Sequence, residues 1–320
     1  MKIIFFGTPE VAVPFLEFLY KNEKVVAVVT QPDKKAGRGV EHLKLSPVKL
    51  FAKKKGLPLF QPLKIDELLA TRYSLFADYD LGVVVAYGKI LPKSLIETAR
   101  LGYINVHFSL LPKYRGAAPV QWTLINGEKE TGVTTFWIDE GLDTGKIICQ
   151  KKIAIENSDT VITLEKKLTP LGIEILKETI EIVKKNPQVS NLQIGIPSYA
   201  PSLKKEDGKI NWGDKDAFEI CNLIRGTQPW PGAYSTVKSV KCKVKSLKIL
   251  EAEVVDFNLS PITYHLSPGS IVGLEKSIGF IVKCKNNFLL ILKVQEEGKK
   301  IVSAWDWWQG ARLKIGDCLQ

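Results

Sequence analysis

The 320-residue chain is 45% hydrophobic and 25% charged, an ordinary globular composition with room for two domains. Its most apolar run, 81–87, is far shorter than the roughly 20 residues of a spanning helix, and Gly7-Thr8-Pro9-Glu10 interrupts the first apolar stretch, so neither a membrane span nor a cleaved leader is expected. The net charge of +11, shared between the halves, points to a polyanionic partner, while five scattered cysteines without a C-x-x-C argue against a disulfide framework or a zinc site and suit a reducing cytoplasm.

Residues 2–6 read as a short apolar strand running into Gly7-Thr8-Pro9. Val11, Phe15, Phe18 and Leu19 then recur near helical spacing, and 25–30 is a second strand. Strand, tight turn, helix, strand opens a doubly wound α/β domain with a mainly parallel sheet, although a single glycine is no dinucleotide fingerprint. Residues 31–49 read as a long, glycine-rich, basic loop in a fold whose connections are usually short. Lys34, Lys35, Arg38, Lys44 and Lys49 are its candidates for phosphate contact. Helices are expected near 48–55, 65–77 and 94–100. The run 81–87, apolar on both faces, is a buried parallel strand.

The chemistry is concentrated in 102–119 together with 141–145. Tyr103, Ile104, Val106 and Phe108 have strand character, so Asn105 and His107 point the same way, with Ser109 following if the strand lasts that long. Polar side chains on one face of an apolar strand are costly unless they have partners or a task. Asp143, between glycines after the strand 132–138, is placed to orient an imidazole. An amide that holds a developing oxyanion, an imidazole that donates or moves a proton, and a carboxylate that takes one from an amine together suggest acyl transfer.

A helix from Pro119 and strands over 132–138 and 146–155 surround the Asp143 turn. Val161, Leu164, Leu168, Leu171, Ile175 and Ile182 then mark a long amphipathic stretch capped by Ser158 or Asp159, with a kink or two abutting helices expected at Pro170. Pro187, Pro197 and Pro201 make 186–202 read as a linker. Beyond it, a helix near 217–224 and short strands over 233–237, 241–250, 269–273, 279–282 and 288–294 suggest a small antiparallel barrel. Lys241, Lys243 and Lys245 alternate onto one strand face as a candidate phosphate-contacting surface. The expected domains are a catalytic domain over 1–189, a linker over 190–204 and a C-terminal β-barrel over 205–320.

Asn105-Val106-His107, Ser109-Leu110-Leu111-Pro112, Arg115-Gly116-Ala117-Ala118-Pro119 and Gly141-Leu142-Asp143-Thr144-Gly145 resemble, in this order, the formyltetrahydrofolate-dependent formyltransferases. The resemblance extends to Phe6-Gly7-Thr8-Pro9, to the run from Arg225 to Tyr234, and to the stretch from Gly298 to Gly310, so it covers nearly the whole chain. It implies a Rossmann-like formyltransferase domain, an OB-like second domain, and 10-formyltetrahydrofolate as formyl donor with no metal. Asn105 and His107 are then expected to stabilise the oxyanion, Asp143 to orient His107 and help remove the amine proton, and Ser109, Leu110, Leu111 and Pro112 to line the folate cleft. The implied acceptor is the α-amine of initiator methionyl-tRNA, gripped by Lys34, Lys35, Arg38 and Lys44 and by Lys241, Lys243 and Lys245, which makes the expected role one in translation initiation by a cytoplasmic monomer. A small amine, such as an amino sugar nucleotide, is the alternative acceptor, against which the two basic segments weigh. The departure is Phe108, which stands where the family pattern leads one to expect a small residue and could either alter packing or narrow the folate pocket.

Overall fold

The structure, a computed structural model, describes residues 1–36, 42–65, 67–70, 78–238, 246–258 and 265–320. The chain divides into two compact units. One comprises Met1–Pro119, Glu130–Ala154 and Glu165–Pro201, the other Val120–Lys129, Ile155–Leu164 and Ser202–Gln320.

The elements begin with β1 (Lys2–Gly7), α1 (Val13–Asn22), β2 (Lys24–Val29), β3 (Lys34–Ala36), β4 (His42–Lys44), α2 (Pro47–Lys54) and β5 (Leu59–Phe60). They continue with α3 (Glu67–Ala70), β6 (Leu81–Val85), α4 (Lys93–Ile96), β7 (Tyr103–His107), α5 (Pro119–Ile125), β8 (Glu130–Trp137), β9 (Ile147–Ala154) and α6 (Val161–Lys185). A seven-stranded sheet in the order β5-β2-β1-β6-β7-β8-β9 organises the first unit. Its pairs are parallel from β5 to β7 and antiparallel from β7 to β9. Ile3, Ile4, Phe5 and Phe6 are wholly buried, as a strand covered on both faces requires. The chain runs from β1 outward to β2 and β5, then crosses to β6 on the other side. That reversal between β1 and β6 opens a crevice at the carboxyl ends of the strands, where open α/β sheets bind ligands. The doubly wound, mainly parallel sheet expected from the sequence is found.

Several local expectations change. Within the basic segment 31–49, β3 and β4 pair antiparallel, setting Lys34 opposite Lys44 and Lys35 opposite Leu43. Lys49 is not available for phosphate, because it is buried and its ammonium is paired with Asp33. Of the helix expected near 65–77, α3 alone is described; residues 71–77 lie outside the described residues. Pro170 neither ends nor divides α6, which continues through it. The cap of α6 is Thr160, whose hydroxyl accepts the Thr163 N–H at 3.3 Å; Asp159 instead accepts from the Glu156 N–H and the Thr163 hydroxyl. Phe108 is buried with its ring edge-on to Phe15 of α1 at 6.0 Å, so it packs the interior.

The second unit holds α7 (Ala217–Gly226), β10 (Ala233–Ser235), β11 (Val237–Lys238), β12 (Leu247–Val255), β13 (Ile271–Glu275), β14 (Gly279–Lys283), β15 (Phe288–Glu296), β16 (Val302–Ser303), α8 (Ala304–Ala311) and β17 (Cys318–Leu319). An antiparallel sheet runs β10-β12-β15-β14-β13, with β16 on β15. Its outer strands β10 and β13 do not pair with each other among the described residues. The segment around β17 connects those margins: Leu319 lies opposite Val237, Gln320 exchanges backbone hydrogen bonds with Thr236, and the Leu319 N–H donates to the Gly269 carbonyl just before β13. The strand expected over 241–250 begins at Leu247, and residues 239–245 lie outside the described residues. Helix α8 was not expected. Ser303 caps it by accepting the Asp306 N–H, and Trp307 and Trp308 set their rings 5.8 and 5.9 Å from Phe280. No helix among the described residues is long and apolar enough to cross a membrane.

Pro170 is exposed in the interior of α6 and supplies no N–H to the Lys166 carbonyl one turn back. Replacing it by alanine restores that bond and removes a penalty of up to about 3 kcal/mol. Pro170→Ala should therefore raise the free energy of urea unfolding, and a loss of stability would show that the proline ring packs productively.

Candidate active site

The antiparallel pairing of β7 with β8 sets Asn105 opposite Phe136 and His107 opposite Thr134, at the carboxyl end of β7. Asn105 is partly exposed, and its amide makes no hydrogen bond to the described residues. His107 is buried, and its Nε2 lies 2.9 Å from the Tyr114 carbonyl. A carbonyl can only accept, so Nε2 carries a hydrogen. Nδ1 faces Asp143, whose Oδ2 is 3.7 Å away, beyond hydrogen-bond length. The direct orienting contact on His107 is thus the Tyr114 carbonyl, where the sequence reading assigned that task to Asp143. The same Asp143 Oδ2 accepts the Gly116 N–H at 2.7 Å.

The turn that carries Asp143 owes its shape to its glycines. A Cβ on Gly145 would lie 1.6 Å from the Trp137 carbonyl oxygen, and one on Gly141 would lie 2.0 Å from the Thr144 hydroxyl. Asp139 accepts hydrogen bonds from the Gly141 N–H at 3.1 Å and the Thr144 hydroxyl at 2.6 Å, which closes the turn. Asp143 itself has φ +53° and Tyr114 has φ +61°, left-handed values that strain a non-glycine backbone, the bulkier Tyr more than the Asp.

The segment from Ser109 to Pro112 is fastened to the antiparallel part of the sheet. Thr134 donates to the Ser109 carbonyl at 2.6 Å, and Gln150 donates to the Leu111 carbonyl at 3.0 Å. The Ser109 hydroxyl is turned inward to the Lys113 carbonyl. Ser109, Leu111 and Pro112 are buried and Leu110 is partly exposed, so of these four candidates Leu110 alone keeps accessible surface. Beside the crevice, Thr8 and Gln31 donate to the Tyr87 carbonyl at 3.2 and 2.7 Å, and burial pushes the Tyr87 phenol up to about 12.

Lys44 is exposed on β4, and the backbones of Lys34 and Lys35 lie on β3. Arg38, Lys241, Lys243 and Lys245 lie outside the described residues. Sequence reasoning missed Tyr114, Thr134 and Gln150, and also Gln193 and Ser198. Ser198 accepts the Tyr114 N–H at 2.9 Å from within the stretch read as a linker.

Comparison with known proteins gives a consistent result. The formyl transferase family model matches residues 1–180, and the formyl transferase C-terminal domain matches 202–312. A methionyl-tRNA formyltransferase of Thermodesulfovibrio yellowstonii is 48% identical over 317 residues, covering 98% of this chain and 97% of that protein. A methionyl-tRNA formyltransferase of Caldanaerobacter subterraneus is 44% identical and is covered completely. Among solved structures, a sugar 3N-formyl transferase crystallised with dTDP and 5-N-formyl-THF superposes with a TM-score of 0.65 at 25% identity, over 94% of this chain and 99% of that one.

Gly116 has φ +124°, and a Cβ there would lie 2.7 Å from the Ala200 carbonyl oxygen. Gly116→Ala should cost at least roughly 1–3 kcal/mol of stability through backbone strain and displace the N–H that holds Asp143. Urea unfolding measures the cost; an unchanged midpoint would contradict the close approach of residues 116 and 200.

Proposed function

The chain belongs to the formyl transferase family, and on that footing we propose that it transfers the formyl group of 10-formyltetrahydrofolate to the α-amine of initiator methionyl-tRNA, giving the N-formylmethionyl-tRNA of translation initiation. The observation that carries the reading is the convergence of an Asn105 amide with no hydrogen bond among the described residues, a His107 imidazole with one nitrogen committed, and the Asp143 carboxylate beside it at the carboxyl end of β7. Full-length identity of 48% to a methionyl-tRNA formyltransferase supports the acceptor.

The residues fit such a donor, which supplies a one-carbon unit at the formyl level. Asn105 donates its amide N–H to the formyl oxygen as negative charge grows there. His107 offers Nδ1 to hold or move a proton on the same side, while Nε2–H stays on the Tyr114 carbonyl. Asp143, held by the Gly116 N–H, accepts the proton that the amine releases. Leu110 and the backbone of 109–112 flank the folate. We place formyl transfer within 1–189 and acceptor binding in 205–320, joined by 190–204, in a cytoplasmic monomer. Lys34, Lys35, Arg38, Lys44, Lys241, Lys243 and Lys245 grip RNA phosphates.

The decisive assay supplies 10-formyltetrahydrofolate with either charged initiator tRNA or an amino sugar nucleotide. Formylation of the tRNA is expected, and formylation of the sugar amine alone would overturn the reading. Asp143→Asn should fold and lose roughly 10²–10⁴ in turnover; near wild-type turnover would remove Asp143 from the mechanism. Arg38→Ala should impair tRNA formylation with folate binding intact, because a guanidinium binds phosphate or a base edge through two parallel bonds. Equal losses in folate binding and tRNA use would tie that segment to the pocket instead.

A further inference from the structure

We propose that Gln193, in the stretch that reads as a linker, is a positioning residue for Asp143, and that Arg115 and Gln193 act together as one clamp on the two catalytic loops. The inference rests on the formyl-transfer reading of the site. Its basis is a carboxamide whose hydrogen-bonding groups are all engaged. Oε1 of Gln193 accepts from Arg115 Nε at 3.1 Å and Nη2 at 2.7 Å. Nε2 donates to the carbonyl oxygens of Asp143 at 2.8 Å and Gly145 at 2.9 Å. A flipped amide would set its donors against the guanidinium and its oxygen against two carbonyls, so the network determines the orientation.

The local chain conformation explains why residue 193 takes this position. Asn191 exchanges both backbone hydrogen bonds with Ile147, and residues 198 and 200 bond to residue 115 from the other end. Between these anchors Leu192, Ile194 and Ile196 are 71%, 88% and 90% exposed, whereas Gln193 is half-buried with its carboxamide on Arg115 and the Asp143 turn. The segment therefore straps the loop of Tyr114, Arg115 and Gly116 to the loop of Asp143 and Gly145.

Both loops matter to the proposed chemistry. The first provides the carbonyl that holds His107 and the N–H that holds the Asp143 carboxylate. The second carries Asp143 at φ +53°, a conformation that persists only when its surroundings over-determine it. Gly116 secures the side chain of Asp143, and Gln193 secures its backbone. Without the Gln193 donors the Asp143 backbone is free to leave the left-handed region, and the carboxylate shifts relative to Nδ1 of His107. A shift of about 1 Å can cost on the order of 10²-fold in rate without weakening binding.

The test uses Gln193→Met, close in shape but without hydrogen bonds, and Gln193→Glu, which keeps the acceptor for Arg115 but loses both donors. Each is measured in the full chain for thermal midpoint and for kcat and KM with 10-formyltetrahydrofolate and methionyl-tRNA. Both variants should melt near the wild-type midpoint and lose at least about 10-fold in kcat, with both KM values unchanged. Arg115→Met should cost a similar factor, and the double variant with Gln193→Met no more than the larger single loss, as members of one network do. Unchanged kcat, a loss confined to KM, additive losses in the double variant, or failure of both Gln193 variants to fold would each overturn the proposal. A wild-type chain that formylates neither acceptor would instead sink the functional reading on which it rests.

Discussion

The hydrogen bond from His107 Nε2 to the Tyr114 carbonyl is the contact on which the site depends. It commits one imidazole nitrogen to a group that can only accept, and so leaves Nδ1 facing the Asp143 carboxylate. The bond requires the Tyr114 backbone at φ +61°, which costs about 1–2 kcal/mol for an L-residue. That strain is held in place by the Ser198 hydroxyl on the Tyr114 N–H and by the backbone bonds between Arg115 and residues 198 and 200. The left-handed Asp143 follows the same pattern: a strained residue secured by groups distant in sequence.

The catalytic candidates were legible because their signals are local. Strand alternation brings Asn105 and His107 to one face with no knowledge of the rest of the chain. The glycines beside Asp143 are steric necessities, since a side chain on Gly145 would collide with the Trp137 carbonyl. What holds those residues was not legible. The decisive acceptor on His107 is a backbone carbonyl, which leaves no mark in residue identity. Thr134 and Gln150 matter because the register of β8 and β9 carries them beneath residues 109–112, and register is a tertiary property. Gln193 lies among prolines that do mark an irregular segment, but irregular does not mean detached.

The second unit shows a related limit. Its antiparallel character could be read from short strands and turns, yet the connection between its margins depends on residues 316–320. There, Leu319 pairs with Val237 of β11, which follows β10, and donates to the carbonyl of Gly269, in the turn before β13. Two residues of strand give almost no sequence signal, although they tie residues 236–237 to residues 269–270. Helix α8 was missed for a different reason. Ser303 and Asp306 do spell a helix start, but Trp305, Trp307 and Trp308 favour strand, and the packing of Trp307 and Trp308 on Phe280 resolves the conflict.

Phe108 illustrates how a departure inside a recognised motif can be taken up by packing. It directly follows His107, the last residue of β7, and its ring lies against Phe15 of α1. The space for that aromatic pair comes from α6, where Gly172 presents no side chain; a Cβ there would stand 2.7 Å from the Phe15 ring. A large residue at 108 is thus matched by a small one at 172, and core packing conserves volume across elements far apart in sequence. Phe108 belongs to the packed interior, while Asn105 and His107 lie on β7 beside the loops of Tyr114 and Asp143.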